Sequence, residues 1–69
     1  MERTAVTSTN IVSIGYDPSS CILEIEFQTG IYQYYGVPGE VFEGLMQTPS
    51  KGSFFDQYVR KAGYAFAKL

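Results

Sequence analysis

The chain has 69 residues, is 45% hydrophobic and 16% aromatic, and carries a formal net charge of −2. That length allows one domain, and a domain this small buries only about 60% of the surface its unfolded chain exposes, so large side chains must supply the core. One cysteine and no histidine exclude an internal disulfide framework and a Cys/His zinc site, and no metal or cofactor is expected.

No apolar run approaches the roughly 18 residues of a membrane span. The opening Met1-Glu2-Arg3-Thr4 lacks the basic-then-apolar order of a signal peptide. The expectation is a soluble, cytoplasmic domain over residues 1–69. Charge is unevenly placed: residues 49–69 hold Lys51, Arg60, Lys61 and Lys68 against Asp56 alone, while residues 1–48 hold six acids against Arg3. A basic segment of this kind is either a solvated surface or an anion-binding face.

In chain order, residues 1–7 read as a loose polar lead-in that meets the sheet near Ser8. Residues 10–16 alternate, with Val12, Ile14 and Tyr16 on one side and Ile11, Ser13 and Gly15 on the other. Asp17-Pro18-Ser19-Ser20 is a turn sequence, since aspartate bonds the backbone two residues on and proline pre-sets its φ. Residues 21–28 alternate again, with Leu23, Ile25 and Phe27 opposed to Ile22, Glu24 and Glu26. Cys21 reads as a small apolar residue. Thr29-Gly30 is a second turn, and residues 31–35 form a third strand.

Loops at 17–20 and 29–30 pair Tyr16 with Cys21, Ile14 with Leu23, Phe27 with Tyr32 and Ile25 with Tyr34. Both hairpins then send Val12, Ile14, Tyr16, Cys21, Leu23, Ile25, Phe27, Tyr32 and Tyr34 to one face, and a one-residue slip in either would put glutamates there. Val37-Pro38-Gly39-Glu40 starts a helix with Pro38 at its first position. Val41, Phe42, Leu45 and Met46 make its apolar stripe, and Gly44 lets it lie close to the sheet. Thr48-Pro49-Ser50 breaks that helix and Ser50 N-caps the next, in which Phe54, Phe55, Tyr58, Val59 and Ala62 form a second stripe and which ends at Gly63. Residues 64–69 are a short tail, docked or frayed. The expected fold is α+β: a three-stranded antiparallel meander followed by two helices on one face of the sheet.

Ser8-Thr9-Asn10-Ile11, Ser13-Ile14-Gly15-Tyr16-Asp17-Pro18, Leu23-Glu24-Ile25-Glu26-Phe27, Tyr32-Gln33-Tyr34-Tyr35-Gly36-Val37-Pro38 and Pro49-Ser50-Lys51-Gly52 with Phe54-Phe55 together resemble the KTSC domain. That module is named for its place at the C-terminus of some lysyl-tRNA synthetases, and it also occurs as a stand-alone bacterial or phage protein. The resemblance spans residues 7–61; Tyr32, Tyr34, Val37 and Pro38, with Ser50-Lys51-Gly52, are its marks. It implies a domain of unknown function for which RNA binding has been suggested, with tRNA as the ligand implied by the synthetase. Gln33 departs from the arginine often found there, which removes a phosphate-binding charge.

Three candidate sites follow. Tyr32 and Tyr34 are a stacking platform for bases or, by parity, core rings with hydroxyls at the rim. Ser50, Lys51 and Gly52 form an anion-binding turn or an ordinary cap and helix–helix turn. The outer face carries Ile11, Ile22, Ile31 and Tyr35 beside solvent-facing Glu24 and Glu26, a surface for a protein partner or a second copy. With no histidine, cysteine nucleophile or metal cluster, the reading is a non-catalytic binding module; the resemblance implies RNA as its ligand, met through Lys51, Arg60, Lys61, Tyr35 and Tyr58. The alternative is a protein-interaction or homo-oligomerisation module using the outer face.

Overall fold

In the computed structural model, which describes residues 1–69, Asp17 makes the first turn as its sequence dictates. Its Oδ1 accepts from the Ser19 backbone N–H at 3.0 Å and from Ser19 Oγ at 2.7 Å. Cys21 then adopts a left-handed φ of 57° and joins the loop, so the strands separate one residue later than expected. The pairs are Asp17 with Ile22, Tyr16 with Leu23 and Ile14 with Ile25. The second turn falls at 28–29, and Ile25 pairs with Tyr32 and Leu23 with Tyr34. Each register departs from expectation by an even step, so the facing of the side chains survives.

The sheet has five antiparallel strands in sequential order, not three: β1 Thr4–Ala5, β2 Ile11–Asp17, β3 Ile22–Phe27, β4 Gly30–Tyr35 and β5 Phe66–Lys68. The residues expected as a loose lead-in supply β1, which pairs Thr4 with Ile14 and Ala5 with Ser13. The tail supplies β5, which pairs Tyr32 with Lys68 and Tyr34 with Phe66. Backbone bonds from Tyr35 to Ala65 (2.9 Å) and from Leu69 to Ile31 (2.8 Å) extend that ladder. Strands of two and three residues carry too little alternation to be read from pattern.

Ile11 and Val12 exchange roles relative to expectation. Ile11 pairs with Phe27 and Ser13 with Glu26, so Val12 is the extra residue of a β-bulge. The bulge turns Ile11 onto the core face, where it is 2% exposed.

Helices α1 (Gly39–Gln47) and α2 (Lys51–Phe55) follow, and α2 runs on as a π-helical segment, Asp56–Arg60. Pro38 is the N-cap of α1 rather than its first residue. The core joins Ile11, Ile14, Leu23, Ile25 and Tyr34 of the sheet to Val37, Leu45, Phe55 and Val59. Tyr16 ties the sheet to α1: its ring stacks on Phe42 with centroids 4.9 Å apart, and its hydroxyl donates to the Val37 carbonyl at 2.6 Å. Gly44 serves helix–helix rather than helix–sheet packing, because a β-carbon there would lie 2.5 Å from Phe54 Cζ. Gly63, at φ 87°, ends the second helix as expected and turns the chain toward β5.

The outer face differs most from expectation. Glu24 is 4% exposed because the N-terminal segment crosses it. A β-carbon at Gly15 would collide with the Glu2 carbonyl oxygen, so this close approach needs glycine. Arg3 bonds Glu24 through its guanidinium and donates from Nε to Ser13 Oγ at 3.0 Å. Gln33 Nε2 donates to Glu24 Oε1 at 2.8 Å, and Ser13 Oγ donates to Glu26 Oε1 at 2.8 Å. Burial opposes the charge on Glu24, but Gln33 and Arg3 outweigh it and hold the carboxyl below its ordinary range. The glutamates stay off the core face, yet they form a covered polar network instead of a solvated stripe.

Candidate functional site

The core face of the sheet is wider than the two helices that cover it. Between β4, β5 and α2 it opens into a basin of about 600 Å³. Six rings line it: Phe27, Tyr32, Tyr34, Phe55, Tyr64 and Phe66. They meet largely edge to face. Tyr34 lies 5.3 Å from Phe55 and 5.5 Å from Phe66, and Phe27 lies 5.7 Å from Tyr32. Lys68 Nζ stands 5.8 Å from the Tyr32 ring centroid. Burial, and then the neighbouring Tyr32, raise the pKa of the Tyr34 hydroxyl.

A second basin of about 610 Å³ adjoins the first and has no hydrophobic residue in its lining. One wall is Ser8, Thr9 and Asn10; the other is the turn from Pro49 to Ser53. Asn10, Gly52 and Asp56 line both basins, so the two form one groove with an aromatic and a polar half.

Asp56 stands at that junction, and Arg60 beside it lines the aromatic half. Arg60 bonds Asp56 Oδ1 from one helical turn away, and Lys61 Nζ lies 3.4 Å from Oδ2. The Arg60 bond outweighs partial desolvation, and with Lys61 it keeps the Asp56 carboxyl below its usual range.

The residues singled out from sequence divide between this groove and other places. Ser50, Lys51 and Gly52 line the polar half, and Arg60 lines the aromatic half. Ser50 occupies the N-cap position of α2, but its side chain makes no capping bond; its backbone N–H donates to Thr48 Oγ1 at 3.1 Å. The Lys51 ammonium turns back onto α1, donating to the carbonyls of Met46 at 3.1 Å and Thr48 at 2.8 Å. That is how a cation serves the negative end of a helix.

Tyr32 and Tyr34 do lie on the core face, and they also line the groove. Val37 is buried in the core, and Pro38 is the N-cap of α1. Tyr35 and Tyr58 line neither basin: Tyr35 sits on the outer face with its hydroxyl donating to Gln33 Oε1 at 3.2 Å, and Tyr58 packs on Phe54 at 4.6 Å. Lys61 reaches the groove only through Asp56. Position 33 faces away from the groove, so the glutamine there removes no charge from it. Sequence reasoning missed Ser8–Asn10, Asp56, Tyr64 and Phe66. The Ser-Thr-Asn run was a visible signal; the aromatic tail gave none without its pairing to β4.

The fold and groove define a small α+β domain that presents one two-part groove. The KTSC domain family matches residues 7–64, and this chain belongs to it. A crystal structure of a KTSC domain protein from Yersinia pestis superposes with a TM-score of 0.91 at 45% identity, covering 99% of this chain and 96% of that one. A protein of Stutzerimonas stutzeri (strain A1501) is 39% identical over 70 residues, spanning 100% of this chain and 99% of its own. A lysine–tRNA ligase of Nostoc sp. is 41% identical over 46 residues, which is 65% of this chain and 8% of that protein. No helix is long and apolar enough to cross a membrane.

Proposed function

We propose that this KTSC domain is a non-catalytic RNA-binding module whose aromatic basin receives an unpaired base. The observation that carries the reading is convergence: Ser8–Asn10, Tyr32 with Tyr34, and Ser50–Gly52 are far apart in sequence and line one groove. Every base has a face that stacks on aromatic rings, so such a basin favours single strands over duplex. Arg60 adds a planar cation able to stack on a base or meet a phosphate. The kinship with a segment of lysine–tRNA ligase supports an RNA ligand over other aromatic ones.

Titration of the labelled protein with short unpaired oligoribonucleotides, followed by NMR, tests this. Shifts are expected at Tyr32, Tyr34, Tyr64 and Phe66, with Arg60→Gln weakening binding several-fold. One guanidinium contact gives a shallow salt dependence, with a logarithmic slope of about −0.7 for a single strand. Absence of binding at low salt ends the proposal.

A further inference from the structure

We infer that the polar half of the groove takes a ribose 2′,3′-cis-diol, so that the ligand is a terminal ribonucleoside rather than an internal nucleotide. This rests on the base-binding reading of the aromatic half. Asp56, with Asn10 and Gly52, lines both basins, so it stands at the junction between the rings and the polar half, within reach of the sugar of a base seated among the rings. An ionised carboxylate only accepts hydrogen bonds, and it has about four lone-pair positions. Arg60 occupies Oδ1, and Lys61 approaches Oδ2 at a loose 3.4 Å. Acceptor capacity therefore remains for hydroxyl donors.

A phosphate in the same place meets the Asp56 carboxylate, and the two cations nearest it, Arg60 and Lys61, are already paired with that carboxylate. The one cation lining the polar half, Lys51, is turned onto the Met46 and Thr48 carbonyls. The rest of the lining is neutral: Ser8, Thr9, Asn10, Ser50 and Ser53 offer hydroxyl and amide groups that no side-chain hydrogen bond within the chain occupies. A carboxylate among neutral donors and acceptors suits vicinal hydroxyls, the same logic by which acidic residues hold ribose in dinucleotide sites. An RNA 3′ end and a free nucleoside both present this group.

Fluorescence anisotropy with one 5′-labelled oligoribonucleotide in three forms separates the cases: free 3′-terminal diol, 2′-deoxy terminal sugar, and 3′-phosphate. Unlabelled adenosine serves as competitor. The diol form should bind about tenfold or more tightly than either altered form, since a site built for a hydroxyl leaves its partner unpaired without it. Asp56→Asn should narrow that preference while base binding persists, and Ser53→Ala, at an exposed position, should narrow it in part.

Equal binding of all three forms by the unaltered protein overturns the terminal-diol assignment and leaves RNA binding standing. Adenosine competing as well as the oligonucleotide upholds the diol but overturns RNA as its source. No binding of any form, adenosine included, overturns both.

Discussion

The ring of Phe54 fills the space into which a side chain at Gly44 would project, with Cζ 2.5 Å from the site of the missing β-carbon. The two helices therefore approach through a glycine that, by propensity alone, weakens α1. Gly44→Ala gains about 1 kcal/mol of helix propensity and loses about 1–3 kcal/mol to forced repacking. A net loss of stability is expected in urea denaturation. In a Phe54→Ala background the sign should reverse, and the same alanine should stabilise.

The ion pair beneath the N-terminal segment makes stability depend on acid pH. Unfolded, Glu24 takes up its proton near the ordinary value of about 4.3; folded, it does so lower. The stability it contributes is present above that ordinary value and is lost as pH falls through the folded one. The urea midpoint of the native chain should therefore fall more steeply below pH ~4.3 than that of Glu24→Gln. Arg3→Met leaves the carboxylate buried without its cation. Because Arg3 remains 26% exposed, the cost at neutral pH is about 1–3 kcal/mol rather than that of a fully buried pair.

Lys51 separates a structural from a ligand-binding role. Its ammonium holds two carbonyls at the end of α1, so Lys51→Met should lower stability by about 1–2 kcal/mol. RNA affinity should change less than it does for Arg60→Gln when the two are compared in the same titration. An equal loss of affinity would mean that the ammonium swings into the groove.

Tyr16→Phe removes the bond to the Val37 carbonyl and should cost about 1 kcal/mol in thermal or urea denaturation. Burial, and then Cys21, raise the Tyr16 hydroxyl above the ordinary phenol range. Ultraviolet titration of the native chain should therefore lose a late-ionising component in this variant.

How much of this was legible in the sequence follows from what each feature requires. The facing of Ile14, Leu23, Ile25, Tyr32 and Tyr34 depends only on odd–even alternation, so it survived two turns that were each placed slightly wrong. Ile11 was misassigned because a bulge leaves no mark in hydrophobic periodicity. Glu24 looked solvated because its cover, Arg3, is 21 residues away and no local rule links them. Half of the groove could be read from Tyr32, Tyr34 and Ser50–Gly52. The other half needs Phe66 beside Tyr34 and Ser8 beside Ser50, relationships that exist only after the sheet edge and the helices are in place.

Phe66 also dictates the order in which the molecule can come together. The two inner hairpins close over short loops and can form while the chain is still leaving the ribosome. The wall that Phe66 provides lies beyond both hairpins and both helices in the chain. A chain cut before Phe66 thus keeps all nine residues of the core and lacks one wall of the groove.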